Sequence, residues 1–132
     1  MMSRSEPLRC LIVDDSPVFL ETAARMLEYN GFTGIRTAST IAEALQRMEE
    51  YRPDVTLVDV CLGEESGFDL IEQLDRRGWC SRSAVILIST QDAQEFTDIV
   101  AASPAAGFLP KLQLSPSAIH GLLATHDPGS DG

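Results

Sequence analysis

Pro53-Asp54-Val55-Thr56-Leu57-Val58-Asp59 decides the fold. The predicted strand runs from Asp54 to Val60 and is a near-continuous Val/Leu run without the polar-apolar alternation of a half-exposed strand. Such a run belongs in a strand covered on both faces, which is the position of an inner strand in a parallel sheet. It ends on a carboxylate, Asp59, and a carboxylate adjoining a buried run needs a partner. Working outward, similar runs occur at Leu8 to Val13, at Ala84 to Ile88 and, shorter, at Gly107 to Pro110. Each is followed by polar chemistry: Asp14 and Asp15 after the first, Ser89 after the second, Lys111 after the third.

Between the strands the period changes from two to 3.6. Ser16 caps a helix with Pro17 at its first position, and this helix runs to about Asn30 before Gly31 stops it. Phe19, Ala23, Met26 and Leu27 are its expected core stripe. After a second strand from Gly34 to Ala38, Thr40 and Glu43 make a capping box for a helix carrying Ile41, Leu45 and Met48. Cys61 to Ser66 reads as a loop, and Gly67 leads into a helix bearing Phe68, Leu70, Ile71 and Leu74. Gln91 to about Ala102 is a fourth helix, and Ser115 to Thr125 is the last. Strand and helix thus alternate five times, the pattern of βαβ units around a parallel sheet. Residues 1–7 and 126–132 are read as tails flanking one domain from Leu8 to Thr125.

The whole-chain numbers narrow the function. A chain of 132 residues with 44% hydrophobic and 23% charged residues is one soluble domain with an adequate core. Its apolar runs fall far short of the roughly 20 residues a membrane span needs, and the N-terminus lacks a secretory signal, so a cytoplasmic location with no membrane partner is expected. Cys10, Cys61 and Cys80 have no CxxC spacing and read as reduced thiols. A net charge of −10 argues against direct nucleic-acid binding, which needs clustered Lys and Arg. It suits a domain that binds cations and docks on proteins.

In an open α/β sheet, ligands sit outside the carboxyl ends of the strands. Asp14, Asp15, Asp59, Ser89 and Lys111 all fall at such ends. Carboxylates gathered there repel one another unless a hard cation or a proton joins them, and Mg²⁺ is the cation favoured by carboxylate, water and phosphate ligands. Lysine adds a point charge for a phosphoryl group, and serine a hydroxyl donor. The set reads as a phosphoryl-transfer site with a carboxylate nucleophile.

These residues resemble the receiver domains of two-component response regulators over about residues 8 to 125. The resemblance rests on Leu11-Ile12-Val13-Asp14-Asp15 with Ser16, on Pro53 through Asp59, on Gly67, on Ile86-Leu87-Ile88-Ser89 and on Gly107-Phe108-Leu109-Pro110-Lys111. The intervals of 30 residues from Asp59 to Ser89 and 22 from Ser89 to Lys111 are similar to the family's. It implies a doubly wound, flavodoxin-like α/β fold with a five-stranded parallel sheet in the order 2-1-3-4-5. It further implies that Asp59 is the phosphoacceptor, fed by a sensor histidine kinase, a phosphotransfer protein or a small phosphodonor. Asp15 and Asp59 would ligate Mg²⁺ directly, Cys61 through its backbone carbonyl, and Asp14 through a water. Lys111 would pair with Asp59 and then with the phosphoryl oxygens, while Ser89 and Phe108 form the switch. Such a domain catalyses only its own phosphorylation and dephosphorylation. Its signal would pass to a downstream protein partner or a missing output domain, with homodimerisation on phosphorylation as one consequence.

Three departures from the family pattern stand out. Leu112 follows Lys111 where proline is usual, so that peptide is expected to be trans. Phe108 lacks the hydroxyl of the commoner tyrosine. Thr90, with Gln91 beside it, crowds the pocket mouth and predicts slow self-dephosphorylation. Two rival readings exist: a receiver-like interaction module that is never phosphorylated, and a haloacid-dehalogenase-type Mg²⁺ phosphatase. The latter wants a second Asp two residues after the nucleophile, where Cys61 stands.

Overall fold

Val55–Asp59, the strand foreseen as fully covered, lies at the centre of the sheet and is buried at every residue. The computed structural model describes residues 9–29, 32, 34–90 and 102–125. In chain order its main elements are β1 (Cys10–Val13), α1 (Pro17–Tyr29), β2 (Ile35–Ala38), α2 (Ile41–Tyr51), β3 (Val55–Asp59), α3 (Gly67–Arg76), β4 (Ala84–Ser89), β5 (Gly107–Pro110) and α4 (Pro116–Thr125). The strands are all parallel, in the order β2-β1-β3-β4-β5. The expected topology therefore holds. The helix expected over Gln91 to Ala102 lies, but for its last residue, outside the described residues, as do both tails.

Alternate residues of the inner strands serve opposite faces of the sheet, as the pleat requires. Cys10, Ile12, Leu57, Ile86 and Ile88 pack on one face with Leu20, Ala23 and Leu27 of α1 and Ile119 of α4. Leu11, Val13, Val58, Val85 and Leu87 pack on the other with Ala44 and Met48 of α2 and Leu70, Ile71 and Leu74 of α3. Each fully buried Leu or Ile here contributes about 1.5–3 kcal/mol relative to exposure. The polar Thr56 is tolerated in the centre because its hydroxyl pairs with Ser83 Oγ at 2.8 Å.

Local chemistry sets the helix starts. Ser16 Oγ accepts from the Phe19 N–H at 3.3 Å, Ser66 Oγ from Phe68 at 3.1 Å and Ser115 Oγ from Ala118 at 3.1 Å. At α2, Thr40 Oγ1 accepts from Glu43 N–H, while the Glu43 carboxylate reaches one residue further back, to the Ser39 N–H at 2.8 Å. Two expectations are corrected. In α1, Leu20 takes the core position expected for Phe19, and Phe19 and Met26 are only half-buried. Both still pack against the core cluster, and Phe19, in the first turn of α1 at the sheet's carboxyl edge, has Lys111 as a second neighbour. The stretch Cys61 to Ser66 is not an unpaired loop: Cys61 pairs antiparallel with Ser66 and Leu62 with Glu65, around Gly63 at φ +65°. Leu62 is thereby buried, and the Glu65 carboxylate accepts from the Ile41 N–H at 2.9 Å, tying the ribbon to α2.

Candidate functional site

β1, β3, β4 and β5 end at one edge, and the residues at and just past their ends converge there. Register places Asp59 opposite Ile88, so Ser89 extends β4 one residue beyond it, paired with Pro110. Asp14 is fully buried; its N–H donates to the Ala38 carbonyl at 3.0 Å and its Oδ1 accepts from the Ser16 N–H at 2.8 Å. Asp59 is 6% exposed, and its Oδ1 accepts from the Cys61 N–H at 3.1 Å. Asp15 is exposed beside them. Carboxylate oxygens of Asp14, Asp15 and Asp59 all lie within 4.8 Å of one another.

Lys111 enters from the far side of the sheet edge. Its Nζ donates to Asp59 Oδ2 at 3.0 Å and stands 2.5 Å from Asp14 Oδ2. The second contact is an ion pair to a fully buried carboxylate. Asp14 and Asp59 thus share one ammonium, with Asp15 beside them. Burial pushes the Asp59 pKa up and the Asp14 charge adds to this, against the lowering effect of the Cys61 N–H and Lys111; the net direction is up. For Lys111, burial lowers the pKa, yet the contacts to Asp14 and Asp59 outweigh it and raise the pKa. Three carboxylates with oxygens within 4.8 Å of one another, two of them buried, form a hard oxygen donor set that fits a divalent cation of the oxygen-seeking kind.

The remaining predicted residues surround this centre. Ser89 is buried, Thr90 next to it is exposed, and Gln91 lies outside the described residues. Phe108 is half-buried against the cluster that α2 and α3 cover. Cys61 is exposed, and its N–H orients Asp59, a role that its residue type does not signal. The peptide joining Lys111 to Leu112 is trans, as expected. Two further neighbours were not foreseen. The Phe19 ring lies under Lys111, with Nζ 4.4 Å from its centroid. Gly67 packs against the backbone of Asp59 and Val60. Neither is legible in one dimension, since Phe19 reads as another apolar helix residue and Gly67 as a helix opener.

Residues 10–123 match the response regulator receiver domain family. The chain is 35% identical over 102 residues to the probable transcriptional regulatory protein TcrX of Mycobacterium tuberculosis, covering 77% of this chain and 42% of that protein. It is 31% identical over 86 residues to protein PilH of Pseudomonas aeruginosa, covering 65% of this chain and 70% of PilH. Against the first matched regulators it spans less than half of their length, 42% of TcrX and 36% of the M. tuberculosis transcriptional regulatory protein KdpE. Its fold is that of the chemotaxis protein CheY4 of Vibrio cholerae, with a TM-score of 0.77 at 23% identity, covering 91% of this chain and 98% of CheY4. No helix among the described residues is long and apolar enough to cross a membrane. Matched along nearly its whole length, and with carboxylates and a lysine gathered at one sheet edge, the chain belongs to the response regulator receiver domain family.

Proposed function

We propose that this receiver domain accepts a phosphoryl group on Asp59, from the phosphohistidine of a sensor kinase or phosphotransfer protein or from a small acyl phosphate. The observation that carries this reading is the Lys111 ammonium between Asp14 and Asp59 within a three-carboxylate cluster. Asp59 Oδ would form the new P–O bond as the donor's bond breaks: the P–N bond of the phosphohistidine, the proton remaining on the departing imidazole, or the P–O bond of the acyl phosphate, which departs as a carboxylate. The Cys61 N–H on Oδ1 and the Lys111 ammonium on Oδ2 fix the carboxylate's orientation, and positioning with charge neutralisation is most of what phosphoryl transfer requires. Mg²⁺ fits the donor set: Asp15, Asp59 and the Cys61 carbonyl would hold it, with Asp14 acting through water, and it would neutralise charge on the phosphoryl oxygens.

After transfer Lys111 passes from the carboxylate to the phosphoryl oxygens, Ser89 donates its hydroxyl to one of them, and Phe108 moves inward behind it. Roughly two added negative charges and three acceptor oxygens are a sufficient driver for such reordering. Thr90 and Gln91 would screen the phosphoryl group from water and prolong its life. The signal would pass to a downstream partner or an attached output domain, with self-association of the phosphorylated form as one route. A haloacid-dehalogenase-type phosphatase is not favoured, given the family.

Beryllofluoride, a non-covalent imitation of the phosphoryl group, tests the site directly. A bound ¹⁹F signal is expected only with Mg²⁺ present, accompanied by amide shifts around Ser89 and Phe108, and it should vanish in Asp59→Asn. Binding that survives in the Asn variant would place the acceptor elsewhere.

A further inference from the structure

We infer that Phe19 is a positioning residue for Lys111, holding the ammonium in line with Asp59 by a cation–π contact; this rests on the phosphoryl-transfer reading of the site. The Lys111 Nζ has an anion on two sides, Asp14 Oδ2 at 2.5 Å and Asp59 Oδ2 at 3.0 Å, and the Phe19 ring at 4.4 Å from its centroid. The negative face of an aromatic ring attracts an ammonium at this range. The segment after β5 gives Lys111 little support: Lys111–Gln113 is a single 3-10 turn without a buried residue, and Leu112 is 98% exposed. Phe19, by contrast, is well held. Its N–H donates to Ser16 Oγ at 3.3 Å, and the Ser16 N–H donates to Asp14 Oδ1 at 2.8 Å. The contacts therefore close a circuit, from Asp14 through Ser16 and Phe19 to Lys111 and back to Asp14.

The ring also packs against the core cluster that includes Leu20, Ala23 and Leu27, which fixes its place beside Lys111. During transfer the anions around Lys111 change, because Asp59 exchanges its charge for that of the phosphoryl group. The ring does not change. It keeps the ammonium at the site while its anionic partners are replaced.

A property of the chain makes the test clean: Lys111 is its only lysine. Protein labelled with ¹³C,¹⁵N-lysine gives one set of side-chain signals, and the Phe19 ring current should move its Hε resonances upfield. In Phe19→Leu that displacement should disappear and phosphorylation by acetyl phosphate should slow by about twofold to fivefold, the range a partly exposed cation–π contact allows. Phe19→Tyr should restore both, and Phe19→Met, similar in volume but without a ring, should behave like leucine even if leucine perturbs the fold. A lysine signal without a ring-current displacement in the parent overturns the inference, as does a methionine variant that is phosphorylated at the parent's rate. A parent protein that takes up no phosphoryl group at all overturns the function proposed for the site, and the lysine signal then still reports whether Phe19 holds Lys111.

Discussion

Gly67→Ala should lower the stability of the domain by about 3 kcal/mol, one of the larger costs of a single added methyl group. A Cβ built at Gly67 would stand 2.9 Å from both the Asp59 carbonyl carbon and Val60 Cα, and closer still to the Asp59 carbonyl oxygen. These are backbone atoms of the central strand and cannot turn aside as a side chain could. The Gly67 N–H also donates to the Val60 carbonyl at 2.9 Å, so the first turn of α3 is fastened to the residues that present the acceptor. Relief requires moving either α3 or the end of β3. For a chain of this size the cost corresponds to a melting temperature lower by roughly 10 °C. Metal binding should weaken with it, since Asp59 moves. Thermal unfolding monitored by circular dichroism decides the matter: a variant melting within a degree or two of the parent would mean that the contact has slack.

Asp59→Asn should instead raise the melting temperature of the metal-free protein. Burial, and then the charge of Asp14, push the Asp59 pKa up in the folded chain. A carboxyl whose folded pKa lies above its unfolded value contributes stability that is fully present below the unfolded pKa, near 3.9, and is lost as pH rises through the folded pKa. The fold therefore disfavours the ionised form of this group. Asparagine removes the charge, retains an oxygen for the Cys61 N–H, and leaves Lys111 its contact with Asp14. The gain should be several degrees, about 3 °C for each kcal/mol relieved, and should shrink as pH falls towards 4. Millimolar Mg²⁺ should reverse the order by stabilising the parent more than the variant. A variant that melts below the parent in a chelator at pH 7 would show that the carboxylate is not under strain of charge.

Much of the fold and the site is legible in the sequence because its signals are redundant. The covered run ending at Asp59 demands an inner strand, and the neighbouring runs place Asp14, Ser89 and Lys111 at the same edge by topology alone. The helix cap at Ser16 follows from residue type and position. The errors have a common cause. Choosing Phe19 over Leu20 as the core residue turns on a rotation of about 100° per residue along a helix, which apolar periodicity near a helix start does not resolve. The paired ribbon from Cys61 to Ser66 is only two residues long on each side, too short to show alternation. Its Gly63 turn is visible only once φ is known to be positive. The Phe19 and Gly67 contacts link residues distant in sequence through shape, and no spacing rule records them.

The central claim, that Asp59 takes up phosphate, is tested most directly by intact mass after incubation with acetyl phosphate, with and without Mg²⁺, for the parent and Asp59→Asn. A single added phosphoryl mass is expected in the parent with Mg²⁺, very little without the metal, and none in the Asn variant under either condition. An Asn variant phosphorylated as fully as the parent, or a parent that stays unmodified with Mg²⁺ present, would contradict it.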